Sequence, residues 1–541
     1  MTYALVHAKL VKGSRVKKNN RESIIGKVIA KLRGMGTFML VTFAVSLPAL
    51  AEPTAQSQRV IHQQLKTDVI DIQAEHLTAK YWLNKLPAPD KVLMSQQEIS
   101  AFNQTLVNTN PYITDPLAIK PVLTKSLLLG KINQISSIPS SARHFANKTP
   151  LTESDYQELR DKVNLAAITE ANSVAYGLVT RRSVLRKFPT WQRAFKLNDD
   201  DTIDHELDLF QESGIFPGEV VAVLHNSKDG LWSLVQAYNY LAWMPSKDLA
   251  IGEKDQIAQF NKAAHFITIT GGKVFVDIPR NAQNNEAELL QLDMGVRLPL
   301  VTHLELSLND SSNNDSLYNV NGQNPYANHI VRFPTKNSFG KLAFTTLSIP
   351  KSKDVTVGTL AMTQGNIIKQ SFKFLGERYG WGHDFNGRDC TGFIGEIYKS
   401  FGLLMPRNSG QQAKSDYGYN IRFQMPINEQ LQAKSKHEQD TLIELQYKKK
   451  QQGLESLQVG DLLYLPGHVV MFLGMDKGQP YIIHDVKDYK VLQENGQLYE
   501  GVLNGVSVTP LQPMHDYVNQ LSVIKRLAYS TSQGDLSHNN H

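Results

Sequence analysis

The stretch "FNGRDCTGFIGEIYKSFGLLMPRNSGQQ", residues 385–412, holds the single cysteine of a 541-residue chain. From Cys390 onward, Phe393, Ile394, Ile397, Tyr398 and Phe401 recur at helical spacing, and Gly402 follows as a C-cap. Asp389 stands where an N-cap belongs. The pattern predicts an amphipathic helix whose first turn carries the thiol. There the free backbone N–H groups and the helix dipole favour a thiolate, lower its pKa and stabilise an oxyanion beside it. A lone cysteine is more often a small buried hydrophobe. A helix-start thiol after an N-cap Asp points instead to a nucleophile.

A thiol nucleophile needs a base, brought close by folding rather than by sequence. Of the 16 histidines, two lie in strand-like runs. His468 follows a Pro-Gly turn at the start of "HVVMFLG", and His484 ends the apolar run of "PYIIHDV". Adjacent strands would hold His468 against Cys390, with His484 behind it to fix the tautomer of the base.

Residues 1–34 carry nine Lys/Arg and one Glu, and "FMLVTFAVSLPAL" then runs apolar for 13 residues before Ala49-Leu50-Ala51. This predicts a signal peptide over residues 1–51 and an exported protein, periplasmic or secreted. The apolar run is short of the roughly 20 residues of a membrane span. Setting residues 1–51 aside takes the formal net charge from +6 to −2. The remainder therefore has no basic balance that argues for nucleic acid and no second apolar span that argues for membrane. The roughly 490 residues left exceed what one core serves, so about three or four domains are expected. One cysteine allows no internal disulfide. No Cys cluster or His-Glu-x-x-His pattern suggests a metal, and no phosphate-binding Gly loop suggests a nucleotide, so no cofactor is expected.

"RYGWGHDFNGRDCTGF", "LLMPRNSGQQ", "GDLLYLPGHVVMFLG" and "YIIHDV" resemble, in order, the motifs of the NlpC/P60 cysteine peptidases of bacterial cell walls. The resemblance spans about residues 358–528 and implies a papain-like α/β domain with Cys390 as nucleophile, His468 as general base and His484 as orienting residue. It also implies that Tyr379 helps line the oxyanion site. Upstream, "YGLVTRRSVLRKFPTW" and "GEVVAVLHNSKDGLWSLVQAYNYLAWM" resemble a bacterial SH3-like (SH3b) domain, in agreement with their short β-rich runs and turns. "HFITITGGKVFVD" and "LAFTTLSI" suggest a second such barrel, with "DSSNNDS" as a polar loop, and "YWLNKLPAPDKVLMSQQEISAFNQ" resembles the N-terminal region of the same subfamily. The expected architecture is multidomain α+β. A helical region over residues 52–165 precedes two small SH3-like β-barrels at 166–252 and 253–350, the catalytic domain at 358–528 and a polar tail at 529–541.

This layout resembles γ-D-glutamyl-L-diamino acid endopeptidases, which cut peptidoglycan stem peptides whose L-Ala amine is free. The resemblance implies that Asp389 pairs with that amine, that Ser409 lies on the substrate side, and that Tyr240, or else Tyr238, walls the site. The expected partner is thus a stem peptide or muropeptide fragment. Two other functions stay open: a wall-binding protein with an inert peptidase domain, and an amidase cutting between sugar and peptide. His383 stands where a second glycine usually follows Trp-Gly, and is expected in solvent. Residues 413–457, rich in Gln and charge, are expected as a solvated helix or loop.

Overall fold

The computed structural model describes residues 66–278, 288–302, 319–320, 323–423, 435–493, 495–514 and 516–528. The expected signal peptide, the loop "DSSNNDS" and the tail 529–541 lie outside the described residues.

The N-terminal region is built on helices α1 (Ala79–Leu83), α2 (Gln96–Thr109), α3 (Lys125–Ile135) and α4 (Glu153–Val163). Local chemistry starts them: Ser95 with Glu98 and Thr152 with Asp155 form reciprocal capping boxes at α2 and α4. The region is tied to its neighbours by backbone pairing. Val92–Met94 pairs antiparallel with Met362–Thr363, and Val122–Thr124 with Ala171–Ser173.

Next come seven strands: β1 (Ala175–Val179), β2 (Ser183–Arg186), β3 (Gln211–Ile215), β4 (Val220–Asn226), β5 (Trp232–Gln236), β6 (Leu241–Pro245) and β7 (Leu249–Gly252). They form one antiparallel sheet in the order β7-β1-β4-β5-β6-β2-β3. Strands β4, β5 and β6 are the β-branched and aromatic runs "VVAVL", "WSLV" and "LAWM", which fit a pleated, buried surface. Gly230, at φ +70°, turns the chain between β4 and β5.

The segment expected as a second SH3-like barrel, residues 253–350, is built mainly of antiparallel strands. It holds a three-stranded sheet (Phe266–Ile269 between Arg297–Pro299 and Val355–Val357) and two hairpins, Lys273–Ile278 with Glu288–Asp293 and Asn328–Lys336 with Leu342–Pro350, the second joined to the sheet's end by the Leu300–Val331 bridge. Ile267, Leu298, Val331, Leu347 and Ile349 join Leu185, Leu234 and Trp243 of the first barrel in one core.

The C-terminal domain packs α5 (Gln364–Phe372), α6 (Cys390–Lys399) and α7 (Ser409–Lys414) against a six-stranded antiparallel sheet. Its strands are β8 (Tyr419–Arg422), β9 (Leu462–Leu465), β10 (His468–Asp476), β11 (Gln479–Leu492), β12 (Leu498–Pro510) and β13 (Val523–Arg526), in the order β8-β13-β9-β10-β11-β12. The α6 face predicted from its periodicity, Phe393, Ile394, Ile397 and Tyr398, is fully buried against Val469, Met471 and Ile483. Helix α8 (Lys436–Glu455) covers most of the described part of the Gln-rich segment and leaves Ile443, Leu445 and Tyr447 exposed.

Candidate active site

Cys390 is the first residue of α6, and Asp389 caps the helix by accepting from the Gly392 N–H at 2.8 Å. The sulfur is buried, and the backbone N–H of Val469, the residue after His468, favours its ionised form. Strand β10 begins at His468 because the Pro466-Gly467 turn, with Gly467 at φ +74°, reverses the chain after β9. His484 lies in the middle of β11 rather than at its end, since β11 continues with β12 as a long ribbon past a bulge near Val486.

The two imidazoles and a threonine form a relay. His468 Nε2 is 3.3 Å from His484 Nδ1, and His484 Nε2 is 3.1 Å from Thr509 Oγ1 on β12. In one consistent proton assignment each histidine carries its proton on Nε2 and donates down the chain. His468 Nδ1 is then left as the acceptor nitrogen. The Tyr517 ring lies 5.8 Å and 6.0 Å from the two imidazole centroids. Thr509 and Tyr517 were not visible as site residues, because cross-strand neighbours carry no spacing signal.

The electrostatics differ from the sequence expectation in one respect. Burial, reinforced by Asp389, pushes the Cys390 thiol up to about 12. Burial also takes His468 down to about 4, and holds His484 well below the usual histidine range. The helix start does not win against desolvation at a buried sulfur. At neutral pH the two groups are a thiol and a neutral imidazole. Tyr379 is held beside this pair by Tyr379 N–H donating to Asn504 O at 3.0 Å and Gly380 N–H to Arg388 O at 2.6 Å. Burial first, then Asp389 and Cys390, raises its phenol, which therefore stays a donor. Asp485, next to His484 in sequence, is fully buried with neither oxygen partnered. Burial and the nearby Asp389 and Glu377 push it far above the carboxylate range.

Asp389 Oδ2 accepts from Arg407 Nη2 at 2.6 Å and Gly382 N–H at 3.0 Å, and its Oδ1 from Arg407 Nη1, Gly392 N–H and Thr391 Oγ1. Burial opposes its charge, but Arg407 and these donors hold it well below the carboxylate range. The carboxylate expected to meet an incoming amine is paired with Arg407, a residue inside the quoted "LLMPRNSGQQ" motif. The neighbouring carboxylate, Glu212 on β3, has a lighter set of partners. It accepts from Tyr240 OH, and burial raises its pKa while Lys187 and Arg407 nearby oppose the rise. Tyr240 also contacts the side chain of Asn408, which caps α7, and Ser409 opens that helix half-buried. Tyr240 is thus the tyrosine at this corner. Tyr238 faces Lys399 at the far end of α6.

Arg388, just before Asp389, is a fully buried hub. It donates to Glu396, Glu377 at 2.5 Å, Asp293 at 3.0 Å and the Gly272 carbonyl. It thereby fastens the hairpin of Lys273–Ile278 and Glu288–Asp293 to the helix that begins at Cys390. Among the described residues no cluster of metal-ligating side chains occurs, and no helix is long and apolar enough to cross a membrane.

Among solved structures, an NlpC/P60 endopeptidase from Photobacterium damselae subsp. piscicida is 17% identical, covers 86% of this chain and 97% of its own, and superposes with a TM-score of 0.58. An NlpC/P60 family protein from Bacillus cereus ATCC 10987 is 18% identical, covers 66% of this chain and 100% of its own, with a TM-score of 0.42. The first of these shares the fold of most of this chain. No match was found among curated proteins. The family models fall where the two best-formed sheets lie: residues 376–508 match the NlpC/P60 family, and residues 193–245 match an SH3 domain of the SH3b1 type.

Proposed function

We propose that this protein is an exported cysteine peptidase that hydrolyses the γ-D-glutamyl–diamino acid bond of peptidoglycan stem peptides and prefers those with a free N-terminal L-Ala. The observation that carries the reading is the relay Thr509–His484–His468, on the strand whose next residue, Val469, sets its backbone N–H against a thiol at a helix N-terminus. The Cys390 sulfur attacks the scissile carbonyl while His468 Nδ1 takes the thiol proton. The oxyanion that forms lies next to the Cys390 backbone N–H and the Tyr379 hydroxyl. Collapse breaks the C–N bond. His468 returns the proton to the leaving amine, and a thioester remains on Cys390. Water, deprotonated by His468, then releases the γ-D-glutamyl carboxylate and restores the thiol.

The SH3 domain supports the preference for a short, free peptide. Its strand β3 and the β5–β6 turn bring Glu212 and Tyr240 to the corner formed by Asp389, Arg407 and Asn408. In this reading Glu212, rather than Asp389, meets the ammonium of L-Ala, and Tyr240 closes the groove against a sugar-linked stem.

The test is mass spectrometry of L-Ala-γ-D-Glu-diamino acid peptides after incubation with the protein lacking residues 1–51. Release of L-Ala-γ-D-Glu supports the proposal. Intact stems freed from muramic acid would indicate an amidase, and binding to sacculi without cleavage would indicate a wall-binding protein.

A further inference from the structure

The sequence places His383 in the loop before the nucleophile, where the expected glycine would be free to face water. The structure buries it at 4% exposure between two domains. Its Nδ1 receives the Gly214 N–H of SH3 strand β3 at 3.1 Å and Arg407 Nη2 at 3.2 Å. Its Nε2 lies 3.2 Å from Glu396 on α6. A backbone N–H and a guanidinium can only donate, so Nδ1 is the acceptor and the proton sits on Nε2, donated to Glu396. The His383 carbonyl accepts from Arg182 of the SH3 domain at 3.1 Å, and Phe216 packs edge-on to the ring at 5.3 Å.

The space is cut to the ring. A Cβ on Gly214 would lie 2.9 Å from His383 Cβ and Cγ, and one on Gly392, in the first turn of α6, would lie 2.7 Å from Nε2. The loop adopts a left-handed backbone to deliver the side chain, with φ +56° at Gly382, +66° at His383, +52° at Phe385 and +55° at Asn386. Non-glycine residues rarely hold that conformation unless their surroundings impose it. Arg407 itself bridges the domains: it donates to Asp389 and Thr391 on the catalytic side and to Ser213 Oγ on β3 at 2.7 Å.

We infer that His383 is a positioning residue that makes strand β3 of the SH3 domain one wall of the substrate site, setting through Gly214 and Arg407 where Glu212 and Tyr240 stand. The inference rests on the hydrolase reading above and deepens it. Glu212 sits between Gln211 and Ser213, and both neighbours are pinned to this junction, Gln211 by the Gly382 carbonyl at 2.8 Å and Ser213 by Arg407. Removing the imidazole frees β3 from the Gly214 side. Arg407 keeps Asp389, Thr391 and Ser213, so the cap of the nucleophile's helix survives. The loss therefore falls on recognition of the peptide's N-terminal end and spares the reactivity of the thiol.

The experiment compares wild type, His383→Ala and His383→Asn on L-Ala-γ-D-Glu-diamino acid, with alkylation of Cys390 by iodoacetamide measured alongside. His383→Ala is expected to raise KM about tenfold or more with kcat changed only a few-fold, as misplacement of a binding group does, and to leave the alkylation rate at the wild-type value. His383→Asn, whose amide oxygen can replace Nδ1 as acceptor, recovers most of the KM. Added imidazole fills the space between Gly214 and Gly392 and lowers the KM of His383→Ala but not of wild type. Wild-type turnover with an unchanged KM in His383→Ala overturns the inference alone. So does a parallel fall of kcat, alkylation rate and melting temperature that neither His383→Asn nor imidazole reverses. A wild-type protein that cleaves no stem peptide overturns the hydrolase reading first.

Discussion

Replacing Glu212 by Gln separates the two carboxylates that stand near the nucleophile. The amide keeps the shape of the side chain and still accepts from Tyr240 OH, so only the charge is lost. An ammonium about 3 Å from a carboxylate gains roughly 5 kcal/mol at an effective dielectric of about 20. Desolvating both ions at a partly buried site takes back about half of this, leaving about 2–3 kcal/mol. At 1.36 kcal/mol per factor of ten, that is a preference of about 30- to 150-fold for a free over an N-acetylated stem peptide. The assay is kcat/KM for L-Ala-γ-D-Glu-diamino acid and for its N-acetyl form. In Glu212→Gln the ratio should fall to within a few-fold of unity, almost wholly through loss of the free peptide's KM advantage. In Asp389→Asn both substrates should suffer alike, because that carboxylate is engaged by Arg407 and the helix cap. Burial raises the Glu212 pKa, so the preference should also grow as pH rises through it and the carboxylate ionises. An undiminished ratio in Glu212→Gln, with a collapsed one in Asp389→Asn, would refute this assignment.

Cys390→Ala should abolish product while leaving the melting temperature nearly unchanged; turnover near wild type would remove the thiol from the mechanism. His468→Ala should lose several orders of magnitude in kcat, and His484→Gln less, since an amide can still pair with His468; the opposite ranking would exchange their roles. Because His468 is held at about 4, the acid limb of the kcat/KM profile should lie near pH 4 rather than 6.5. The same depression has a stability consequence: the folded state binds fewer protons than the unfolded one between these values. Urea midpoints should thus fall as pH drops from about 6.5 toward 4. Arg388→Met should destabilise by about 3–5 kcal/mol, the cost of leaving a buried carboxylate unpaired, because Glu396 loses its cation and Asp293 keeps only Arg182 at 3.4 Å. A midpoint shift within error in chemical denaturation would contradict the hub.

Local patterns were enough for the catalytic elements. The apolar spacing after Cys390, the N-cap at Asp389 and the Pro-Gly turn before His468 each act within one or two turns of chain, and the structure holds a helix and a strand at those places. The short β-runs of the SH3 domain were legible for the same reason, since alternation and turn residues are properties of neighbours in sequence. What the chain alone did not disclose depends on partners far away in sequence. The second β-region shares one apolar core with the first, through contacts between residues far apart in sequence. Nothing in "RDCTG" reveals that Arg407, 18 residues later, pairs with Asp389. His383 looked like a solvent residue because its acceptor role is fixed by Gly214, 169 residues upstream. The thiol's pKa followed the same rule. The helix start that favours a thiolate is a local feature, whereas the desolvation that outweighs it comes from the packing of the whole domain around Cys390.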